Sequence, residues 1–505
     1  MDKITAQGKK FVDQHGRERI FRGINVVDKK PHRGTKTTFK YPVDDDYLRR
    51  CQSLGFNMIR LGALWDVIEP APGQYNSAFL DELERIIDRC GKYGIYVFFD
   101  IHQDVHSEYA NLGGSGAPEW AALTDGYKVK NTQFVWAEGY FFRKAVWAAF
   151  KNFWDNAPVQ GKGLQDWYAD MLQELARRFA DKPAFFGYDF MNEPFGDKKC
   201  AQTFSRLIAN LVKVVLFDKR VKICALLRCL LKSPDRIFEI LGGDILLEIM
   251  KGGEESVRDF DLNRYTPFLN KMTAAVREID RNHMVFVDHC YYSNAGVPCN
   301  AGPIIHNGER EKNQCFTPHA YDFTVDSPAY ENANNDIVRA FFEQLRRSQE
   351  RLDIPVIVGE WGGGGEGTKW YPHISFLLDL FEKFKWSNTY YFYLEDAEEL
   401  AYRNKEDVGK EDLFDIPLVD TVLNRPFPMA VCGDISAFHY DETARTFQLR
   451  YTQDMDFDAP TVIFLPHAPK SVEVSSGVYE LAAHGKGFVI RWTTGIGEHF
   501  CDVKI

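Results

Sequence analysis

Ala184-Phe185-Phe186-Gly187-Tyr188-Asp189-Phe190-Met191-Asn192-Glu193-Pro194 is an apolar run that stops abruptly in an amide, an acid and a proline. Six of its first seven residues are apolar, aromatic or glycine. The run is too short for a helix and lacks the alternation of a half-exposed strand, so it predicts a parallel strand buried on both faces. Pro194 cannot continue the pairing, which leaves Asn192 and Glu193 at the rim of a sheet. In a closed parallel barrel, the rim at the C-terminal strand ends is where chemistry is carried out.

Outward from that strand the same pattern recurs. Short apolar runs at 19–27, 56–61, 95–102, 284–289, 314–321, 354–361 and 388–393 alternate with helical patterns at 44–53, 77–93, 164–180 and 336–350. Eight such strands predict an α/β fold, a (β/α)8 barrel. Residues 8–16 read as a small hairpin before the first strand. Two stretches exceed what the pattern needs: 103–160, with Gly113-Gly114-Ser115-Gly116 and many aromatics, and an insert near 200–262. Connections of that length have a functional role or a structure of their own. Past residue 430 the period changes to two, with Phe447, Leu449 and Tyr451 on one face. That predicts a small C-terminal antiparallel β-sandwich, and a division into a barrel over 1–429 and a sandwich over 430–505.

Composition narrows the function classes. The 61 basic and 72 acidic residues give a net charge of −11 with no basic block, so no nucleic acid is expected as a partner. Ten cysteines are scattered without a CxxC pair, which fits neither a zinc site nor a disulfide scaffold, and no metal or cofactor is expected. No apolar h-region and no run of 18 apolar residues is evident, so the sequence predicts neither a signal peptide nor a membrane span. The compartment stays open between cytoplasmic and, had a signal been removed, secreted.

Glu360 closes the seventh strand as Glu193 closes the fourth. The two strands lie across a barrel mouth from each other, so both carboxyls can face one ligand. A retaining glycosidase needs such a pair about 5–5.5 Å apart, one acid kept protonated and one carboxylate kept ionised. Arg60, ending the second strand, favours the ionised form of a nearby glutamate.

Arg60, His102, Asn192-Glu193, His319, Tyr321 and Glu360 at these strand ends resemble the signature of glycoside hydrolase family 5, over roughly residues 15–425. The resemblance implies Glu193 as acid/base and Glu360 as nucleophile. It also implies that Asn192 binds the sugar 2-hydroxyl, Tyr321 hydrogen-bonds the nucleophile, and His319 and His102 line the subsite of the cleaved sugar. Within the family, the endoglycoceramidase branch is the nearest likeness. Residues 25–31 are similar to its first-strand motif, which implies a sugar-binding lysine at Lys29. His102-Gln103-Asp104, Gly116-Ala117-Pro118-Glu119-Trp120, Asn152-Phe153-Trp154 and Gly187-Tyr188-Asp189 resemble further motifs, which imply sugar contacts from Asp104 and Trp154. Where the family carries a tryptophan platform, the eighth strand reads Tyr390-Tyr391-Phe392-Tyr393, so Tyr391 takes its place.

The implied substrate is a glycolipid, cleaved between oligosaccharide and ceramide by a monomer in peripheral contact with a membrane or micelle surface. An exo-acting β-glucosidase on glucosylceramide or a steryl glucoside is the alternative enzyme, and a glycolipid-binding protein the alternative outside catalysis. The paired glutamates argue against mere binding, which needs no acid and nucleophile together. An apolar groove for the lipid is expected near Tyr391, Tyr393, Trp361 and Trp370. The insert's helical patterns at 221–231 and 237–250 read either as a lid touching lipid or as a pair packed on the barrel.

Overall fold

The computed structural model describes residues 1–29, 41–131, 137–224, 226, 228, 237–325, 328–364, 367–391 and 417–505. Eight parallel strands form the barrel: β1 (Arg22–Val26), β2 (Met58–Ala63), β3 (Tyr96–Ile101), β4 (Phe185–Asp189), β5 (Met284–Val287), β6 (Gln314–Phe316), β7 (Ile357–Val358) and β8 (Ser387–Tyr390). They pair in chain order, with β8 returning to β1. Single bridges, Phe316 with Val356 and His319 with Glu360, close β6 on β7. These last strands are shorter than their apolar runs because the chain stays extended toward the mouth after regular pairing stops. Among the described residues of 103–160 are the α-helices Glu138–Phe142 and Lys144–Trp154.

The helices between strands follow the sequence periods. Ser77–Lys92 starts at Asn76, whose side chain accepts the Phe79 N–H, and buries Leu80, Leu83, Ile86 and Ile87. Asn335–Leu352 begins the same way at Asn334.

The N-terminal end of the barrel is sealed. Ile4 and Phe11 join Phe21, Met58, Tyr96, Phe98, Phe186, Met284 and Phe286 in one buried cluster. Phe11 meets Phe21 and Phe186 edge-on at 5.6 and 5.7 Å. The hairpin Ile4–Gln7 and Lys10–Asp13 is also part of the sandwich. It runs through Glu18–Arg19 into Phe427–Val431, in a sheet with Thr461–Leu465, Gly487–Thr493 and Val478–His484. The second sheet holds Asp434–Asp441, Thr446–Gln453, Gly497–Lys504 and Ser471–Val474. The expected division at residue 430 therefore falls inside a strand that pairs with residues 18 and 19.

The insert splits in two. Ile237–Met250 lies against Asn335–Leu352, burying Leu241, Ile245, Leu246 and Ile249, with the Gly243 N–H donating to Asp336 at 2.7 Å. Thr203–Phe217 is largely exposed. Lys198–Phe217 is long and apolar enough to cross a membrane by length and composition, which the sequence reading missed. Leu227, residues 229–236 and Tyr393 lie outside the described residues.

Candidate active site

Glu193 follows β4 in the left-handed region, φ +42°, a conformation that a non-glycine side chain holds only where its surroundings fix it. Its N–H donates to Asp288 at 2.8 Å. Gln103 Nε2 donates to the carbonyls of Asn192 and Glu193, at 2.8 and 3.1 Å. Across the mouth, Asn25 and Thr389 both donate to the Gly359 carbonyl, fixing the residue before Glu360. A Cβ on Gly359 would lie 2.3 Å from Thr317 Oγ1 and 2.6 Å from His319 Nε2, so only glycine lets the end of β7 press against β6.

A carboxyl oxygen of Glu193, one of Glu360 and a nitrogen of His319 lie within 4.8 Å of one another. Glu360 accepts from Arg60 Nη1 at 2.6 Å and from Tyr321 at 3.1 Å. Glu193 Oε1 accepts from Asn294 Nδ2 at 2.6 Å and faces His319 Nδ1 at 3.0 Å. Both glutamates are buried, yet their acidities diverge. Burial pushes Glu193 up to about 8, with the charges of Glu360 and Asp104 adding to it and the Asn294 hydrogen bond and Lys29 opposing. Burial opposes ionisation of Glu360 too, but His319, Arg60, His102 and Lys29 hold it down to about 2. His319 is itself pushed down to about 3 by burial. It faces the pair as a neutral dipole, so the cations that lower Glu360 are Arg60, His102 and Lys29.

Arg60 is fully buried and reaches Asp100 (3.0 Å), Asp189 (3.1 Å), Asn192 (2.8 Å) and Asn25 (3.1 Å) besides Glu360. Burial alone would lower His102, but Asp100 at 2.6 Å, with Asp104, raises it to about 9. Burial would raise Asp104, but Lys29, at 3.0 Å, and His102 hold it well below the usual carboxylate range. The Lys29 ammonium sits 5.3 Å from the Tyr391 ring centroid. Of the three triads among the described residues with donor atoms close enough to hold a cation, two lie at this site, Asp100/His102/Glu360 and Glu193/His319/Glu360. Both share Glu360, where the Arg60 guanidinium already supplies the positive charge.

Of the residues expected from the sequence, Lys29, Arg60, His102, Asp104, Asn192, Glu193, His319, Tyr321, Glu360 and Tyr391 converge here. Trp154 does not join them. Its Nε1 donates to the Phe195 carbonyl at 2.7 Å, and its ring packs edge-on against Phe153, Phe260 and Phe268. It braces the loop that carries Glu193. Trp361 and Trp370 do not line a groove either: both are buried, Trp361 edge-on to Phe381 and Tyr390. The sequence reading assigned no role to Asp100, Asp189, Asp288 or Asn294. Asp100 and Asp288 interrupt apolar strand runs near the mouth, the signal that exposed Glu193 and Glu360. Asn294 lies in the turn Tyr291–Ala295, whose sequence carries no such signal.

The Cellulase (glycosyl hydrolase family 5) model matches residues 12–217 and 250–391, and the family's C-terminal domain model matches 425–505. An endoglycoceramidase of Hydra vulgaris is 24% identical over 476 residues, covering 89% of this chain and 77% of that protein. An endoglycoceramidase of Cyanea nozakii is 34% identical over 218 residues, 38% of this chain and 41% of that protein. The solved structure of endo-glycoceramidase II from Rhodococcus sp. shares the fold, with a TM-score of 0.71 at 24% identity and 99% of each chain covered.

The divided acidities make a prediction about stability. Glu193 has a folded value raised from 4.5 to about 8. Its contribution is therefore fully present below about pH 4.5 and lost as pH rises through about 8. Glu193→Gln, neutral throughout, is expected to gain in Tm relative to wild type between about pH 5 and about pH 8. Glu360→Gln, which exchanges the charge-assisted hydrogen bond from Arg60 at 2.6 Å for a neutral one, should lower Tm across that range. Thermal melts across pH check both; parallel profiles for Glu193→Gln and wild type would refute the raised acidity.

Proposed function

The chain belongs to glycosyl hydrolase family 5, and on that premise we propose that it is a retaining β-glycosidase of the endoglycoceramidase type, cutting between the oligosaccharide and the ceramide of a glycosphingolipid. The observation that carries this reading is the divided pair, a protonated Glu193 and an ionised Glu360 with oxygens within 4.8 Å. An inverting enzyme holds its carboxyls about 6.5–9.5 Å apart to admit a water between them. The names of the Hydra vulgaris and Cyanea nozakii relatives support the lipid-linked substrate.

In the first step Glu360 attacks the anomeric carbon and forms a glycosyl ester. The bond to the ceramide oxygen breaks, and that oxygen takes the proton of Glu193. In the second step the Glu193 carboxylate removes a proton from water, whose oxygen attacks the same carbon and frees Glu360. Two inversions give net retention. Tyr321 and Arg60 hold Glu360 in line, and Arg60 orients Asn192 toward the sugar 2-hydroxyl. Lys29, His102, Asp104 and Tyr391 form the polar wall that binds the sugar retained on the enzyme. The protein acts as a monomer in peripheral contact with the surface that holds its substrate.

Glu360→Gln is expected to lose on the order of 10³-fold or more in kcat. Glu193→Gln should cripple glycolipid cleavage far more than that of an aryl glycoside with a good leaving group, which needs little protonation. Equal turnover by either variant and wild type would sink the assignment.

The pH profile supplies a second check. kcat/KM is expected to fall as pH rises through about 8, where free Glu193 loses its proton. The Asn294 amide stabilises the carboxylate form, so Asn294→Ala should move this alkaline limb upward; a downward move would refute the role given to Glu193.

A third measurement identifies the bond. Mass spectrometry of products from a glycosphingolipid bearing several sugars should show the intact oligosaccharide and free ceramide. Stepwise loss of single sugars would replace the endo reading with the exo-glucosidase one.

A further inference from the structure

Beyond the site, the helix Thr203–Phe217 begins shortly after Glu193 and bears an apolar face that none of the described residues covers. Phe204, Ile208, Val212 and Leu216 repeat every fourth residue, so they form one stripe. Ile208 is 47% exposed, Val212 53%, Leu216 59% and Phe217, at the end, 77%. The opposite side, with Leu207, Leu211, Val214 and Val215, joins the buried core through Ile237–Met250 and the turn that follows it. Phe142, also exposed, meets Phe204 edge-on at 5.4 Å and widens the patch. An apolar helical run as long as Lys198–Phe217 in a globular protein is ordinarily a core helix, but only 28% of its apolar window is buried.

Charge gives a second, separate observation. Seven residues between Lys198 and Lys222 are basic and one, Asp218, is acidic, in a chain whose net charge is −11. Asp218 is taken up by Arg220 at 2.6 Å. Lys213, Lys219 and Lys222 are exposed along the same segment.

The patch is also continuous with the site. Phe204 packs on Phe141 (5.3 Å), Phe141 on Tyr291 (6.0 Å) and Tyr291 on Tyr140 (4.5 Å). The Tyr140 hydroxyl meets Gln103, which holds the Glu193 carbonyl. This aromatic path leaves from the acid side of the pair, the side on which the leaving group departs in the glycolipid reading above, on which this step rests.

We propose that Phe142, Phe204, Ile208, Val212, Leu216 and Phe217 form the face with which the protein settles on an anionic lipid surface. The helix lies in the plane of the headgroups, its stripe at the acyl boundary and its lysines at the phosphates. The helical run Lys198–Phe217 is long enough to cross a bilayer, but its inner face is committed to Ile237–Met250 and the turn after it, and Arg206 and Lys213 lie within it, so the helix rests on the bilayer and does not cross it. Rested this way, the aromatic path runs from the membrane to Glu193.

The test is co-sedimentation of the full chain with phosphatidylcholine vesicles, with and without phosphatidylserine. Ile208→Asp/Val212→Asp/Leu216→Asp is expected to lose ~100-fold or more in vesicle affinity. Cleavage of glycosphingolipid in those vesicles should fall in step, while Tm and turnover of a water-soluble aryl glycoside stay as in wild type. Lys213→Glu/Lys219→Glu/Lys222→Glu should remove the gain from phosphatidylserine, a gain that salt weakens in the wild type because charges are screened beyond ~10 Å at 0.1 M. Wild-type affinity in the aspartate variant would overturn the proposal, and so would a fall in its Tm, which would make the stripe core packing. A wild type that ignores vesicles and sediments as a dimer that the aspartate variant dissolves would make the stripe a contact between two copies. If the wild type binds vesicles through this face yet releases nothing from glycosphingolipids, the surface stands and the substrate assigned above falls.

Discussion

A guanidinium with no access to water must be neutralised where it stands, and the architecture of the barrel mouth follows from that requirement at Arg60. Moving such a cation from water to a protein interior costs several kcal/mol even after relaxation, so it persists only with close anions and filled hydrogen bonds. Asp100 from β3, Asp189 from β4 and Glu360 beyond β7 supply the anions, and Asn25 and Asn192 supply neutral acceptors. Five positions on separate parts of the barrel are thereby held around one side chain on β2. Three carboxylates exceed what one cation neutralises, and Asp189 is accordingly pushed up to about 7, burial being the main cause. Glu360 keeps the closest approach, and with it the ionised state.

Glu193 stands just outside that cation's reach, and this placement separates the two glutamates. Both are buried to a similar degree, so desolvation cannot distinguish them; proximity to Arg60 does. The partners of Glu193 are the neutral Asn294 and a neutral His319, and its nearest charge is the carboxylate it must differ from. His319 stays neutral because burial disfavours its charged form; its backbone N–H donates to His289 Nε2, and His289 Nδ1 faces the Cys290 carbonyl at 3.2 Å, which fixes the His289 tautomer. A charged imidazole at His319 would stabilise both carboxylates and erase the difference between them.

Most of this was legible in the sequence because a barrel strand announces itself as an apolar run and its working end as the polar residues that stop the run. Arg60, His102, Asn192, Glu193, His319 and Glu360 all obey that rule. Trp154, Trp361 and Trp370 were misplaced for the complementary reason: sequence marks an aromatic residue without saying which way its ring turns, and these rings turn into the core. Asn294 was invisible because a turn residue has no periodicity to depart from. The pairing of residues 18 and 19 with Ala430 and Val431 was hidden too, since a two-residue strand carries no pattern and its partner lies some four hundred positions away.

The insert shows where hydropathy stops being informative. Ile237–Met250 and Thr203–Phe217 are both rich in leucine and other apolar residues, and composition assigns them the same fate. What separates them is the distribution of charge around each cylinder and the surface waiting opposite. Ile237–Met250 finds Asn335–Leu352, whose Asp336 accepts the Gly243 N–H at the kink, and its described apolar side chains are mostly buried. Thr203–Phe217 has apolar residues on both its faces, and Ile237–Met250 with the turn after it covers only one of them. A helix of that kind is stable in contact with two apolar phases. The rest of the insert provides the first, and the exposed lysines along the same segment point to the second being lipid, since a purely hydrophobic protein contact has no use for them.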